Sequence, residues 1–210
     1  MKYKLIIFDF DGTLADTFTW FANAVDKVSD KYNFKKVDKS NHEIFRNFDA
    51  KKLIKFLNVP LWKIPFISKY MRKMMSKDVK NLSLFQGVDL LLKKLSDNAV
   101  TIAVVSTNSE NNVRKILGPQ NTALIDNLRC GVSIFGKKKK LKKIIKKSGI
   151  SPNQIIYIGD EIRDLQAAKS VGLAFGAVSW GYNTIESIKA YSPQEVFESV
   201  DDIFDKLLAG

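Results

Sequence analysis

Leu5-Ile6-Ile7-Phe8-Asp9-Phe10-Asp11-Gly12-Thr13 decides how this chain folds. Four apolar residues in a row predict a strand buried on both faces. Two carboxylates then follow at i and i+2, where that strand should end. In an open parallel sheet, ligands sit at the carboxyl ends of the strands, so acids placed there point to chemistry. Gly12 and Thr13 suit a tight turn that can close around an anion. An ordinary turn after a strand also uses Asp and Gly, so the segment needs support from the rest of the chain.

Outward from that segment, similar short runs recur. Val100–Ser106, Val132–Phe135, Ile155–Gly159 and Leu173–Trp180 are rich in Val, Ile or aromatic residues and bounded by turn formers. Helical stripes lie between them: Val88, Leu91, Leu92 and Leu95; then Val113, Ile116 and Leu117, closed by Gly118-Pro119; then Leu141, Ile144 and Ile145, ended by Ser148-Gly149. Strand and helix in alternation predict an α/β fold, with a parallel sheet covered on both faces.

Residues 16–83 differ, with no buried-strand run. Phe21, Val25, Val28 and Tyr32 share one helical face; Ile67, Tyr70, Met71 and Met74 share another; Leu53, Ile54 and Leu57 mark a third helix ending before Pro60. The expectation is an α/β core formed by residues 1–15 and 84–210, with a small helical domain, residues 16–83, inserted over the first strand's carboxyl end.

Composition narrows the function classes. With 210 residues, 45% hydrophobic, the chain can bury a substantial core and is too apolar for general disorder. The single Cys130 excludes an internal disulfide framework and fits a reducing compartment. The apolar run before Asp9 is only four residues long, too short for a signal-peptide core. The longest uncharged stretch, Ser170–Ile185, has 16 residues with three Gly and is too short to span a bilayer. A cytoplasmic protein with no membrane segment is expected. The net charge of +12 rests on Lys, 29 of the 34 basic residues. Base and phosphate recognition by nucleic-acid binders leans on Arg forks, so the excess says little about nucleic acid.

Three more polar groups follow strands: Ser106-Thr107-Asn108, Lys137 after Gly136, and Asp160-Glu161 with Asp164 after Gly159. In a parallel sheet they converge on the edge that carries Asp9 and Asp11. This set meets the needs of phosphoryl transfer, where catalysis is mostly positioning and neutralisation of charge. Asp9 would attack phosphorus, and Asp11 would give and then take a proton. Ser106 and Lys137 would contact the phosphate, with Gly12, Thr13, Thr107 and Asn108 completing its cradle. Mg²⁺ held among Asp9, Asp11, Asp160 and Asp164 would let anionic Asp9 approach an anionic ester.

The motifs DFDGTLADT (9–17), VVSTN (104–108) and GDEIRDLQAAKSVGL (159–173), with FQGVDLLLKKL (85–95) and WGYN (180–183), resemble those of haloacid dehalogenase superfamily phosphatases, of the phosphoglycolate-phosphatase-like branch with a helical cap. The resemblance spans nearly the whole chain. It implies a Rossmann-like core, Asp9 as nucleophile, Asp11 as acid/base, and Mg²⁺ held by Asp9, Asp160 and the Asp11 backbone carbonyl, with Asp164 completing or orienting that shell. A small phosphorylated metabolite as substrate and a monomer or homodimer follow. Asp11 argues against dehalogenation, which does not need this acid/base. A phosphomutase of the β-phosphoglucomutase type shares these motifs.

Lys137–Lys147 holds eight Lys in eleven residues, so spacing does not isolate one amine. Lys137 is preferred because it follows the expected strand end; Lys138, Lys139 and Lys140 are alternatives. The remaining lysines read as the wet face of a helix whose dry face is Leu141, Ile144 and Ile145. A nucleic-acid-binding module built on that helix is the reading from a different class. The helix lacks the Arg and aromatic residues such a surface would use. His42, the only His, is expected to be solvated or capping, and Arg46 is a candidate to reach from the insert toward substrate.

Overall fold

The computed structural model describes residues 2–131, 133–134 and 136–208. In chain order the elements are β1 (Leu5–Phe8), β2 (Ala15–Asp16), α1 (Phe18–Tyr32), α2 (Ala50–Phe56), α3 (Ile64–Asp78), β3 (Ser83–Leu84), α4 (Val88–Asp97), β4 (Thr101–Val105), α5 (Glu110–Ala123), β5 (Asn127–Arg129), α6 (Lys137–Ser148), β6 (Ile155–Gly159), α7 (Ile162–Lys169), β7 (Ala174–Val178), α8 (Ile185–Lys189), β8 (Glu195–Phe197) and α9 (Val200–Leu208). Among the described residues, four 3₁₀ segments join some of them, the longest being Lys39–Asn47.

The sheet has the order β5-β4-β1-β6-β7-β8, and every pairing is parallel. β1 is central, and the chain leaves it first toward β4 and later toward β6. The carboxyl ends of these three strands therefore flank the crevice where the winding direction changes.

Alternation along the central strands sorts their side chains between two cores. Ile6 and Phe8 join Ile102, Val104, Ile156 and Ile158 beneath α4, α5 and α9. Leu5 and Ile7 join Ala103, Val105, Ile155 and Tyr157 beneath α6, α7 and α8. Each such side chain removed from water contributes about 1.5–3 kcal/mol, which is why the first strand tolerates no polar residue before Asp9. Gly118 (φ 73°) divides α5 into two helical pieces, the second starting at Pro119, so the expected stop is a kink.

One expected strand is displaced. Of Val132–Phe135, Val132 and Phe135 lie outside the described residues, and Ser133 and Ile134 are not in a strand. The strand beside β4 is instead Asn127–Arg129, half-buried at the sheet edge and too short and polar to announce itself. The edge strand β8 was missed for the same reason.

Between residues 16 and 83 the described structure is helical, apart from the pairing of Ala15 with Leu84 and Asp16 with Ser83 that closes its base. Phe18, Ala22, Val25, Phe45 and Leu57 form a separate small cluster there. His42 is buried within it, stacked on Phe45 and 3.2 Å from Asp26, so the expected solvated role is replaced by packing. Among the described residues, no helix is long and apolar enough to cross a membrane.

Candidate active site

The chain after β1 turns back sharply. Leu14 and Ala15 both donate backbone N–H groups to the Phe10 carbonyl, and Gly12 donates to Ala15. Gly12 has φ +80°, and a Cβ there would lie 2.2 Å from Asp160 Oδ2 and 2.5 Å from the Tyr182 ring. Only Gly satisfies both the backbone conformation and the space. The turn thus brings β1 against the loop after β6.

Asp9, Asp160 and Asp164 converge there. All three are buried, and one oxygen from each lies within 4.8 Å of the others. Lys137, the first residue of α6, is also buried; its Nζ is 2.7 Å from Asp9 Oδ2 and contacts Asp164 Oδ1. Lys138 and Lys139 are exposed, so geometry separates one amine from the run that spacing left unresolved. Tyr157 donates its hydroxyl to Asp164 Oδ1 (2.9 Å), a contact hidden in the sequence because Tyr157 reads as an ordinary core residue of β6.

Asp160 is held from two sides. Thr13 Oγ1 donates to its Oδ1 (2.6 Å), and the Tyr182 backbone N–H donates to its Oδ2 (2.8 Å). Thr13, expected at the phosphate, is therefore engaged with Asp160. A Cβ at Gly181 would lie 1.9 Å from Asp160 Cβ, so the Trp180-Gly181-Tyr182-Asn183 loop packs directly on the carboxylate. Asn183 fastens that loop: Oδ1 accepts from Ile162 N–H (3.0 Å), while Nδ2 donates to the Phe48 carbonyl (2.8 Å).

Asp11 faces the other way. Its Oδ1 accepts from Asn108 Nδ2 (3.1 Å) and its Oδ2 from Ser106 Oγ (3.3 Å). Its carboxylate lies outside the Asp9–Asp160–Asp164 group, so any metal contact from Asp11 is left to its backbone carbonyl. Thr107 is half-buried, and its carbonyl accepts from Arg72 Nη1 of α3 (3.0 Å), a crossing contact that sequence patterning did not signal. Arg46, a candidate to reach toward substrate, instead donates to the Gly181 carbonyl, pairs with Glu43 and covers the Phe18 ring.

Charge in this cluster is unbalanced. Burial pushes the Asp9 carboxyl well up despite the Lys137 ammonium, and pushes Asp160 up to about 8, with Glu161 and Asp164 adding to the rise. Asp11 is also raised, by burial, against the pull of Asn108 and Ser106. Lys137 is raised because Asp164 and Asp9 outweigh its own desolvation. Asp164 Oδ2 is buried with no hydrogen-bond partner. Three convergent carboxylates, one cation and an orphaned oxygen fit a divalent metal ion, which hard oxygen ligands hold.

A parallel sheet with acids and a lysine gathered at its switch point is a Rossmann-like α/β arrangement, with its polar groups where such folds bind ligands. The sequence profile of the haloacid dehalogenase-like hydrolases matches residues 6–178, and the chain belongs to that family. It is 28% identical to a phosphoglycolate phosphatase of Synechococcus elongatus over 201 residues, covering 95% of each chain. It is 29% identical to one of Vibrio vulnificus, covering 99% of this chain and 97% of that one. Among solved structures, a predicted phosphatase from Clostridium acetobutylicum superposes with a TM-score of 0.84 at 21% identity, covering all of both chains. CbbY from Rhodobacter sphaeroides, in complex with phosphate, superposes with a TM-score of 0.72 at 18% identity, covering 94% of this chain and 95% of that one.

Proposed function

We propose that this chain is a Mg²⁺-dependent phosphatase that hydrolyses a small phosphate monoester in the cytoplasm. The observation that carries the reading is the pairing of two unlike carboxylates: Asp9 against Lys137, and Asp11 apart from the acidic cluster. Asp9 attacks phosphorus, forming an aspartyl-phosphate as the P–O bond to the alcohol breaks. Asp11, whose carboxyl is raised by burial, protonates the departing alcohol oxygen. Water then attacks phosphorus, Asp11 takes its proton, and the Asp9–phosphorus bond breaks.

Lys137 offsets charge on Asp9 and the phosphoryl oxygens, and Ser106, whose hydroxyl contacts Asp11 Oδ2, turns to donate to one of those oxygens when the ester binds. Asp9, Asp160 and Asp164 would hold Mg²⁺, which when bound neutralises charge between Asp9 and the ester. Residues 16–83 act as a cap that excludes water from the reacting centre. The relatives' name makes 2-phosphoglycolate the first ester to assay.

Phosphate release from a panel of esters, with and without Mg²⁺, tests the proposal. Metal-dependent release is expected from wild type and none from Asp9→Asn. Release from no ester overturns the phosphatase reading, and activity in Asp9→Asn overturns the nucleophile.

A further inference from the structure

The helical insert encloses far more space than a two-carbon alcohol needs. A cavity of about 650 Å³ extends from Asp11, Thr107 and Asn108 into the region between α1, α2 and α3. That volume is typical of sites for ligands of drug size, about 300–1,000 Å³. From residues 16–83, every residue lining it is apolar except Trp20, Ser68 and Arg72. The Trp20 indole N–H is already held by Asp78 (2.9 Å). Arg72 stands on the Thr107 carbonyl, at the end nearest the reacting groups. Arg163, also at the sheet end, is paired with Glu161.

The far wall is built from side chains such as Leu53, Ile64, Ile67 and Met71. All four line the cavity and are half-buried. A two-carbon alcohol held at the strand ends would leave these four side chains uncovered. A hydrocarbon placed there would cover apolar surface the fold leaves unpacked. Leu61 lines the cavity while 71% exposed, so the space opens to solvent beside it and admits a longer chain.

We infer that the ester this site is built for is the phosphate monoester of an apolar alcohol, with its hydrocarbon part in the cavity and its phosphate at the strand ends. The inference rests on the phosphatase reading, and the test separates the two. The chain is assayed with saturating Mg²⁺ on ethyl, butyl, hexyl and octyl phosphate and on 2-phosphoglycolate, following phosphate release. Transfer of each methylene into the cavity raises kcat/KM about fourfold through hexyl phosphate. Octyl phosphate exceeds 2-phosphoglycolate.

Met71→Trp fills part of the cavity and lowers hexyl phosphate turnover about tenfold relative to ethyl phosphate. Leu53→Trp, from α2, does the same and serves if Met71→Trp fails to fold. A rate that is flat or falls with chain length, or that favours 2-phosphoglycolate over octyl phosphate, overturns the inference and leaves the phosphatase reading standing. A length dependence untouched by both Trp variants overturns the placement in this cavity. Release from none of the five esters removes the phosphatase reading and this inference with it.

Discussion

Thr13→Val separates two roles for one hydroxyl. The side chain is buried, and its Oγ1 lies 2.6 Å from Asp160 Oδ1. Val keeps the shape and removes the donor. A hydrogen bond to a charged group contributes about 1.5–3 kcal/mol, and a buried acceptor left alone costs a similar amount. Asp160, already pushed up to about 8, loses one of the contacts that favour its ionised form. Partners of metal ligands typically alter metal affinity about 10–100-fold when removed. The concentration of Mg²⁺ giving half-maximal phosphate release should therefore rise by about 10–100-fold, with the ester KM at saturating Mg²⁺ changed less than about twofold. Thr13→Ser should behave like wild type. A raised ester KM with an unchanged Mg²⁺ requirement would refute this reasoning and return Thr13 to the phosphate.

Lys137→Met leaves Asp9 and Asp164 buried without their counter-charge; breaking such a pair costs about 3–5 kcal/mol, so urea should unfold the metal-free variant at a clearly lower midpoint, and an unchanged midpoint contradicts the geometry. Gly12→Ala forces a left-handed backbone, about 1–2 kcal/mol, and drives a methyl into Asp160; activity should fall about 100-fold, as for an ångström-scale displacement of a reacting group. The metal-free protein should lose stability as pH rises from about 4 to 8, followed by thermal unfolding. Across that window folded Asp160, raised to about 8, keeps a proton that the unfolded chain releases near its ordinary 3.8. Added Mg²⁺ should flatten that fall, because the ionised cluster binds the cation.

Much of this protein follows from its sequence alone. A four-residue apolar run followed at once by turn formers is too short for a helix and suits a buried strand, so Leu5–Phe8 as a central strand with acids at its end followed directly. The same holds for Ile155–Gly159 with Asp160 and Asp164 after it, since strand polarity in a parallel sheet sends every such terminus to one edge. Periodicity also located α1–α3, although Tyr70 and Met74, grouped with Ile67 and Met71, do not line the cavity. Other features depend on distances the chain order does not encode. Eight lysines look alike until the first turn of α6 points one of them between Asp9 and Asp164. Thr13 looks like a phosphate ligand until the turn at Gly12 carries it to Asp160, 147 positions away. Edge strand Asn127–Arg129 has no apolar signature because half of it faces solvent. The cavity is the clearest case: helical stripes between residues 16 and 83 predict a packed core, and only the tertiary arrangement of α1, α2 and α3 leaves part of their apolar surface lining a space open toward Asp11.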